Sequence, residues 1–195
     1  MSKVHTINDM DMRTVKVLLT LMVIFAMNIN AQNRQDSRVL VAYFSATGTT
    51  AQAAERLAHV TGGTLYEIRP ETAYTSADLD WHDSSSRSSV EMKDPAARPA
   101  ITGGRVDMAL YDTVYIGYPI WWDAAPRVVN TFIESVSLEG KTVIPFATSG
   151  GSSINGSVSA LRRSYPNIRW QDGRLLNGMS EKAIRAWVEK SADGK

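Results

Sequence analysis

The chain has 195 residues with an ordinary apolar content of 44%, which is enough for one globular domain with a full core. Its formal net charge is +1 and it has no basic run, which argues against nucleic acid as a partner. The absence of cysteine excludes a disulfide framework, a thiolate nucleophile, a cysteine-ligated cluster and a lipoprotein anchor.

Residues 1–31 are predicted to be a signal peptide that is removed. Arg13 and Lys16 precede an apolar run, 17–27, which is short for a membrane span, and Ala31 offers a small residue for cleavage. The alternative is an anchoring helix. Export predicts a periplasmic or other extracytoplasmic location, no stable membrane span after cleavage, and a single mature domain, 32–195.

The first element of the mature chain is a strand that leads into a helix. The apolar run Val39–Phe44 is typical of a strand buried on both faces of a parallel sheet. Helical spacing begins soon after Thr50, and Gly62-Gly63 ends the helix.

The loop between them is rich in hydroxyl groups. Amide N–H groups and the helix dipole converge there on one point, which favours an anion. With no Lys and no G-x-G-x-x-G pattern, the loop suits a phosphate monoester better than a triphosphate or a pyrophosphate. The alternative is an ordinary polar turn with an N-cap. The candidate phosphate ligands are Ser45, Ala46, Thr47, Gly48, Thr49 and Thr50.

A second strand, Thr64–Ile68, is predicted to end at Pro70. The next segment, about 71–105, is far longer than an ordinary connection and is predicted to be a functional cover, the alternative being disorder. Ser88 with Glu91 matches a capping box, so a short helix is expected to begin there.

The third strand, Thr113–Tyr118, is followed by an aromatic loop. Two adjacent tryptophans rarely point the same way, so at least one is expected to face outward as a stacking surface for a flat ring. The alternative is that both cover the rim of the core. The candidate ligand-binding residues of this loop are Pro119, Ile120, Trp121, Trp122 and Asp123.

The fourth strand, Lys141–Ala147, leads into a Gly-rich turn whose backbone can approach a planar ligand. Its candidate residues are Ser149, Gly150, Gly151 and Ser152. Because ligands of open parallel sheets bind beyond the carboxyl ends of the strands, all three loops are expected to meet at one edge.

The remaining elements continue the alternation of helices and strands. Pro126 is predicted at the N1 position of one helix, Pro166 ends another, and a weak strand follows in 168–176. Ser180 is predicted to cap a last helix. The pattern predicts an α/β three-layer sandwich with a doubly wound parallel sheet.

The chain contains three histidines, and neither His59 nor His82 has a second histidine at helical spacing. We therefore expect no metal site.

The three loops together resemble those of the flavodoxin-like family. The hydroxyl-rich loop, 45–50, matches the phosphate motif of that family, and 118–122 with 148–152 match the loops that flank the flavin. The resemblance covers nearly all of 38–190. It implies a five-stranded sheet of order 2-1-3-4-5 with FMN as the cofactor, and it marks the segment from Trp81 to Glu91 as an insert near the flavin.

Two features depart from that family. Flavodoxins that shuttle electrons are usually strongly acidic, whereas removal of the leader leaves equal numbers of basic and acidic residues here. The third loop also lacks the aromatic side chain that commonly stacks on the flavin, so Trp81, Trp121, Trp122 or Tyr74 would have to replace it. Arg87 or Glu91 could bind a substrate, the alternative being a solvated ion pair.

These features favour an FMN-dependent oxidoreductase that acts on a small acceptor such as a quinone. The alternatives are an electron-transfer flavodoxin serving a protein redox partner, and a non-catalytic flavodoxin-like protein that binds another ligand.

Overall fold

The computed structural model describes residues 38–104 and 106–193. The predicted signal peptide lies outside these residues. Within the described part of the chain, no helix is long and apolar enough to cross a membrane.

A parallel sheet forms the centre of the fold. Its strands are β1 (Val39–Tyr43), β2 (Thr64–Glu67), β5 (Thr113–Pro119), β6 (Thr142–Thr148), β7 (Arg169–Trp170) and β8 (Arg174–Leu175). Strands β3 (Arg69–Pro70) and β4 (Ile101–Thr102) form a separate antiparallel ribbon. The order in the sheet is β2-β1-β5-β6-β7, with β8 also paired to β6, so the predicted order 2-1-3-4-5 is confirmed.

The fifth position of the sheet is divided into two short strands. β7 pairs with the start of β6, and β8 pairs with its end. Three residues, 171–173, face only two, 144–145, which makes a bulge. A Cβ on Gly173 would lie 2.8 Å from Ile154 Cδ1 and 3.0 Å from the Pro145 carbonyl oxygen, so glycine lets the strand approach its neighbours closely.

Helices cover both faces of the sheet. They are α1 (Thr49–Thr61), α2 (Arg87–Lys93), α3 (Arg127–Ser135), α4 (Ile154–Ser164) and α5 (Glu181–Asp193). Alternate residues of β1 face opposite sides: Leu40 and Ala42 pack with α3 and α4, whereas Val41 and Tyr43 pack with α1 and α5. The predicted three-layer sandwich is therefore confirmed.

Most of the predicted helix ends are found. Gly62 follows α1 with a φ of 67°. The Ser180 hydroxyl accepts the Ala183 N–H at 3.3 Å, as expected of a cap for α5. Pro126 is the N-cap of α3 rather than its first residue.

The cover segment, residues 71–104, differs in detail from its prediction. Pro70 does not end the second strand but lies in β3 of the ribbon. The cap of α2 is Ser86, whose hydroxyl accepts the Ser89 N–H at 3.3 Å, so the capping box predicted at Ser88 was wrong. Ser88 and Ser89 lie inside the helix and are buried.

Candidate functional site

The loop between β1 and α1 presents backbone donors at a helix start. The Gly48 N–H donates to the Ser45 hydroxyl at 3.1 Å, and Gly48 itself has a φ of 90°, in the left-handed region. No side chain of the described chain caps α1, and its first turn carries no acidic residue. The amides of the first helical turn have no intrahelical acceptors. This helix start is therefore suited to an anion.

The hydroxyl of one predicted phosphate ligand, Thr50, is hydrogen-bonded within the protein. Thr50 is buried, and its Oγ1 lies 2.7 Å from Thr148 Oγ1 at the end of β6. The Thr148 carbonyl accepts the Ile120 N–H at 2.9 Å. Thr148 thus connects the three loops at this edge of the sheet. The resemblance included Thr148 in the matching loop, 148–152, but the candidate residues began at Ser149, so its role was not predicted.

The aromatic loop is a tight turn with a left-handed backbone. Trp121 and Ala124 exchange both backbone hydrogen bonds at 3.0 Å, and the residues between them have positive φ, 47° at Trp122 and 57° at Asp123. This is the geometry of a type I′ turn, which favours Asn and Gly. A bulky residue with positive φ is rare and is a pointer to function.

The two adjacent tryptophans point in different directions, as predicted. Trp122 is 50% exposed. Trp121 instead packs edge-on against Phe44, with ring centroids 5.7 Å apart, and against Tyr74, at 5.3 Å. Trp121 is thereby fixed, and Trp122 is available to a ligand.

The first cavity, of ≈ 380 Å³, lies between these two loops and the cover segment. Six of the predicted site residues line it: Ala46, Thr47, Pro119, Ile120, Trp121 and Trp122. The cover segment adds Leu79, Trp81 and Ser88. Ser45, Gly48, Thr49, Thr50 and Asp123 belong to the same loops but do not line the cavity. Leu79 and Ser88 were not predicted, because nothing local marks them as ligand-facing.

The Gly-rich loop after β6 is bonded mainly to its own protein. The Ser149 N–H donates to Asn177 Oδ1 at 2.9 Å, and the Asn177 side-chain amide donates back to the Ser149 carbonyl at 2.8 Å. The Ser149 hydroxyl accepts the N–H groups of Gly151 and Ser152. None of the four predicted residues of this loop lines the first cavity.

A polar cluster fastens the cover segment beside Trp121. Glu91 accepts hydrogen bonds from the Tyr74 hydroxyl and, at 2.6 Å, from Arg87 Nε. The Arg87 guanidinium also lies 4.0 Å from the centre of the Tyr74 ring. Burial, with the Glu91 hydrogen bond, raises the pKa of Tyr74 far above its usual value. Arg87 and Glu91 are thus a shielded pair within the protein rather than the solvated pair considered above.

His59 and His82 each make a contact with a side chain of the protein. His59 Nδ1 lies 3.0 Å from a Glu181 carboxylate oxygen, and the His82 ring lies against that of Trp81. In the described part of the chain, no group of histidine, aspartate and glutamate side chains could hold a metal ion.

Two solved structures from Bacteroides resemble this chain throughout its described fold. A protein of Bacteroides eggerthii, classed provisionally as a flavoprotein, is 62% identical with a TM-score of 0.77, covering 79% of this chain and 97% of that one. A similarly classed protein of Bacteroides uniformis is 58% identical with a TM-score of 0.76, covering 77% of this chain and 97% of that one.

A more distant structure shares the fold alone. The flavoprotein of Lactobacillus acidophilus, solved in complex with FMN, is 20% identical with a TM-score of 0.60, covering 74% of this chain and 97% of that one. None of the curated protein sequences matches the chain. The family model described as flavodoxin matches residues 38–191, and the chain therefore belongs to the flavodoxin family.

Proposed function

We propose that the chain binds FMN in the first cavity and is an oxidoreductase that passes electrons or a hydride to a small acceptor such as a quinone. The main support for this proposal is the cavity itself, which has a volume of ≈ 380 Å³. It is lined by Ala46 and Thr47, at a helix start without a side-chain cap, and by three tryptophans. Its volume is within the range of about 300–1,000 Å³ that is usual for small-molecule sites.

The residues at the start of α1 fit a phosphate group. A Cβ on Gly48 would meet no atom within 4 Å, so the space beside the loop is open to a ligand. Ser45, Thr47 and Thr49 offer hydroxyl groups to the phosphate. Thr50 would contribute its backbone amide, because its hydroxyl is bonded to Thr148.

The aromatic loop fits a flat, largely apolar ring. Pro119 and Ile120 with Trp121 and Trp122 would cover the ring and exclude water. The Gly-rich loop is the proposed neighbour of the pyrimidine edge. Its Gly150 amide is the candidate donor, since Ser149, Gly151 and Ser152 already donate within the protein.

Bound FMN would supply the redox chemistry, since flavins exchange hydrides and electrons with small molecules. The role of the protein in that chemistry would be to bind the phosphate, orient the ring and keep water away from it. An apolar wall also disfavours a buried negative charge, so the site would resist the anionic reduced form.

Titration of the full-length purified chain with FMN, followed by visible spectroscopy and calorimetry, tests the proposal. We expect the flavin spectrum to shift on binding and to bleach with dithionite. Riboflavin, which lacks the phosphate, should bind at least about tenfold more weakly because charge-assisted hydrogen bonds are lost.

A matched pair of glycine variants localises the phosphate. Gly48→Ala and Gly140→Ala both add a Cβ at positive φ, 90° and 70°, with no atom within 4 Å. Both should therefore cost similar stability, of about 1 kcal/mol, but only Gly48→Ala should weaken FMN binding. A protein that neither retains FMN nor gains thermal stability from it would contradict the proposal and favour the alternative of a protein that binds another ligand.

We further propose that the protein acts outside the cytoplasm, because a basic segment, an apolar run and Ala31 precede the domain. N-terminal sequencing of the protein recovered from the extracytoplasmic fraction tests this. A mature start at Gln32 is expected, whereas an intact leader in the membrane fraction would support an anchor.

A further inference from the structure

A second cavity, of ≈ 270 Å³, adjoins the first. The two cavities share the indole side chains of Trp81 and Trp122. Helix α2 also contributes to both, since Ser88 lines the first cavity and the next residue, Ser89, lines the second. A ligand in the second cavity would therefore be a neighbour of whatever occupies the first.

The second cavity lacks the loop and helix start at which the phosphate group of a cofactor is proposed to bind. Apart from Trp122, all its lining residues come from the cover segment, and none comes from the loop before α1. Its volume is slightly below the range of about 300–1,000 Å³ usual for small-molecule sites, which suits a ligand of one or two rings.

The walls of this cavity favour a flat ring. Trp81 is 66% exposed and Trp122 50% exposed. Exposure of two neighbouring indoles to water is unfavourable and unusual, and it often marks a site that a ligand covers. The Met92 thioether adds a polarisable contact for an aromatic ring. Trp122 is also held at a positive φ of 47°, a strained position that is found mainly where function requires it.

The polar groups of the cavity are mostly hydrogen-bond donors. Lys93 Nζ donates to the Ser84 carbonyl at 3.0 Å, and an ammonium group has two further hydrogens to donate. The Ser89 hydroxyl accepts from the Ser86 hydroxyl at 3.0 Å, so that bond does not use the Ser89 proton. Such donors suit a ligand with carbonyl oxygens.

We propose that the second cavity is the acceptor site and that it binds a small quinone, with the ring against Trp81 and Trp122 and a carbonyl oxygen at Lys93. Reduced FMN would give two electrons to the quinone, which with two protons becomes the hydroquinone, and FMN would return to its oxidised form. The proposal rests on the function proposed above, because it names the acceptor and its place. Electron-rich indoles stack well on an electron-poor ring. A neutral ligand fits better than an anion, because Lys93 contacts the carbonyl of Ser84, the neighbour of the Asp83 carboxylate in the chain. Hydrogen bonds from Ser85, with a smaller contribution from Lys93, lower the pKa of that carboxyl.

Calorimetric titration of the FMN-loaded full-length chain with menadione (2-methyl-1,4-naphthoquinone) tests the proposal without relying on turnover. We expect menadione to bind while FMN stays bound. Lys93→Met should weaken menadione about 5- to 10-fold, because it removes a charged hydrogen-bond donor. The same variant should change the Kd of FMN less than about twofold.

Two controls separate the cavities. Ile120→Ala alters only the first cavity, so it should weaken FMN and leave menadione affinity within about twofold. Cyclohexane-1,4-dione, which has two carbonyl groups but no flat aromatic ring, should bind at least about tenfold more weakly than menadione. Lys93 is exposed, so Lys93→Met should fold normally, which circular dichroism can check.

Displacement of FMN by menadione would overturn the proposal, because both ligands would then compete for the first cavity. Unchanged menadione affinity in both Lys93→Met and Ser89→Ala would also overturn it. Failure of the chain to bind FMN is a separate result that removes the proposed function. Menadione titration of the flavin-free chain and the same two variants would then still decide whether the second cavity binds a quinone.

Discussion

Strand β6 is buried at every residue, whereas no apolar side chain of the cover segment is buried. The buried residues of the cover segment are three serines, Ser86, Ser88 and Ser89. The sheet is held by the burial of apolar surface on both faces, and the cover mainly by hydrogen bonds and ion pairs. Segments with few buried apolar contacts open at low free-energy cost. Because the cover walls the first cavity through Leu79 and Trp81, such opening would admit the cofactor.

Most contacts that attach the cover segment are polar, apart from Tyr74, which packs against Phe44 and Trp121. Arg127, at the start of α3, donates to the backbone carbonyls of Glu91 and Met92. The Thr131 hydroxyl donates to the Pro99 carbonyl at 2.9 Å, and Arg98 pairs with Glu134 at 2.8 Å. Each such contact contributes about 1 kcal/mol or less. The comparison therefore implies that sheet variants weaken the whole fold, whereas cover variants chiefly change access to the cavities.

The largest effect is expected from Gly117→Ala, in the centre of β5. The added Cβ would lie 2.1 Å from Cζ of Phe146 on the neighbouring strand, inside a packed core. Overpacking of this kind should cost about 3 kcal/mol of unfolding free energy, measured by urea denaturation.

The double variant with Phe146→Leu identifies the cause of that cost. Leucine removes the ring atoms that the new Cβ would meet, so the two changes together should cost less than the sum of the single changes. Simple additivity would show that the loss has another origin than this contact.

The second largest effect is expected from alkaline pH, which should lower the unfolding free energy. Burial raises the pKa of Tyr115 in β5 to about 12, compared with about 10 in an unfolded chain. The unfolded state then loses its proton first as the pH rises. The stability contribution is therefore complete below pH ~10 and is lost as the pH rises through the folded-state value, by about 2–3 kcal/mol.

Urea denaturation at pH 9 and pH 11 measures the first part of this loss, about 1.3 kcal/mol, because pH 11 is still below the folded-state pKa. Tyr115→Phe has no phenol to ionise, so its midpoint should fall less between the two pH values than that of the unaltered protein. An equal fall in both proteins would assign the alkaline weakening to other groups.

A smaller and more local effect is expected from Glu91→Gln in the cover segment. The change removes the charge that holds Arg87 and Tyr74, at a cost of about 1–2 kcal/mol. Limited proteolysis should show about tenfold faster cleavage within 71–104, because cleavage follows the population of the open form.

Glu134→Gln is the matched control, because its pair with Arg98 is more exposed and should contribute less than about 1 kcal/mol. If Glu91→Gln exposed the sheet to cleavage as readily as the cover, the two regions would not open separately.

The same contrast explains which features could be predicted from the sequence. Burial on both faces makes β1, β5 and β6 continuous apolar runs, and such runs can be recognised locally. The cover segment has no apolar periodicity, so its cap was placed at Ser88 instead of Ser86. The division of β7 from β8 depends on the contacts of Gly173 with Ile154 and Pro145, which no local pattern reports.

The candidate site was predictable where the loops alone determine it. Ala46, Thr47 and the aromatic loop were recognised from their residue types and their place after strands. The roles of Thr50 and Ser149 depend on distant partners, Thr148 and Asn177, that only the folded chain brings near. Leu79 and Ser88 reach the cavity through the path of the cover segment, which the sequence does not specify.

The smallest expected effect is that of Asp123→Gly, at the junction between sheet and site. Asp123 has a φ of 57° at the second central position of the type I′ turn, where glycine is favoured. Glycine should raise the unfolding free energy by about 0.5 kcal/mol, whereas Asp123→Ala keeps the Cβ and should lower it by a similar amount.

This pair of variants separates backbone conformation from charge, since both remove the carboxylate. If glycine and alanine had the same effect on stability, the carboxylate and not the left-handed backbone would determine the turn. If backbone conformation determines it, Trp122 is held in the same strained turn by the same two hydrogen bonds between Trp121 and Ala124. The exposed indole of Trp122 would then be held by a backbone conformation that lowers the stability of the fold, as expected of a residue that stacks on a ligand.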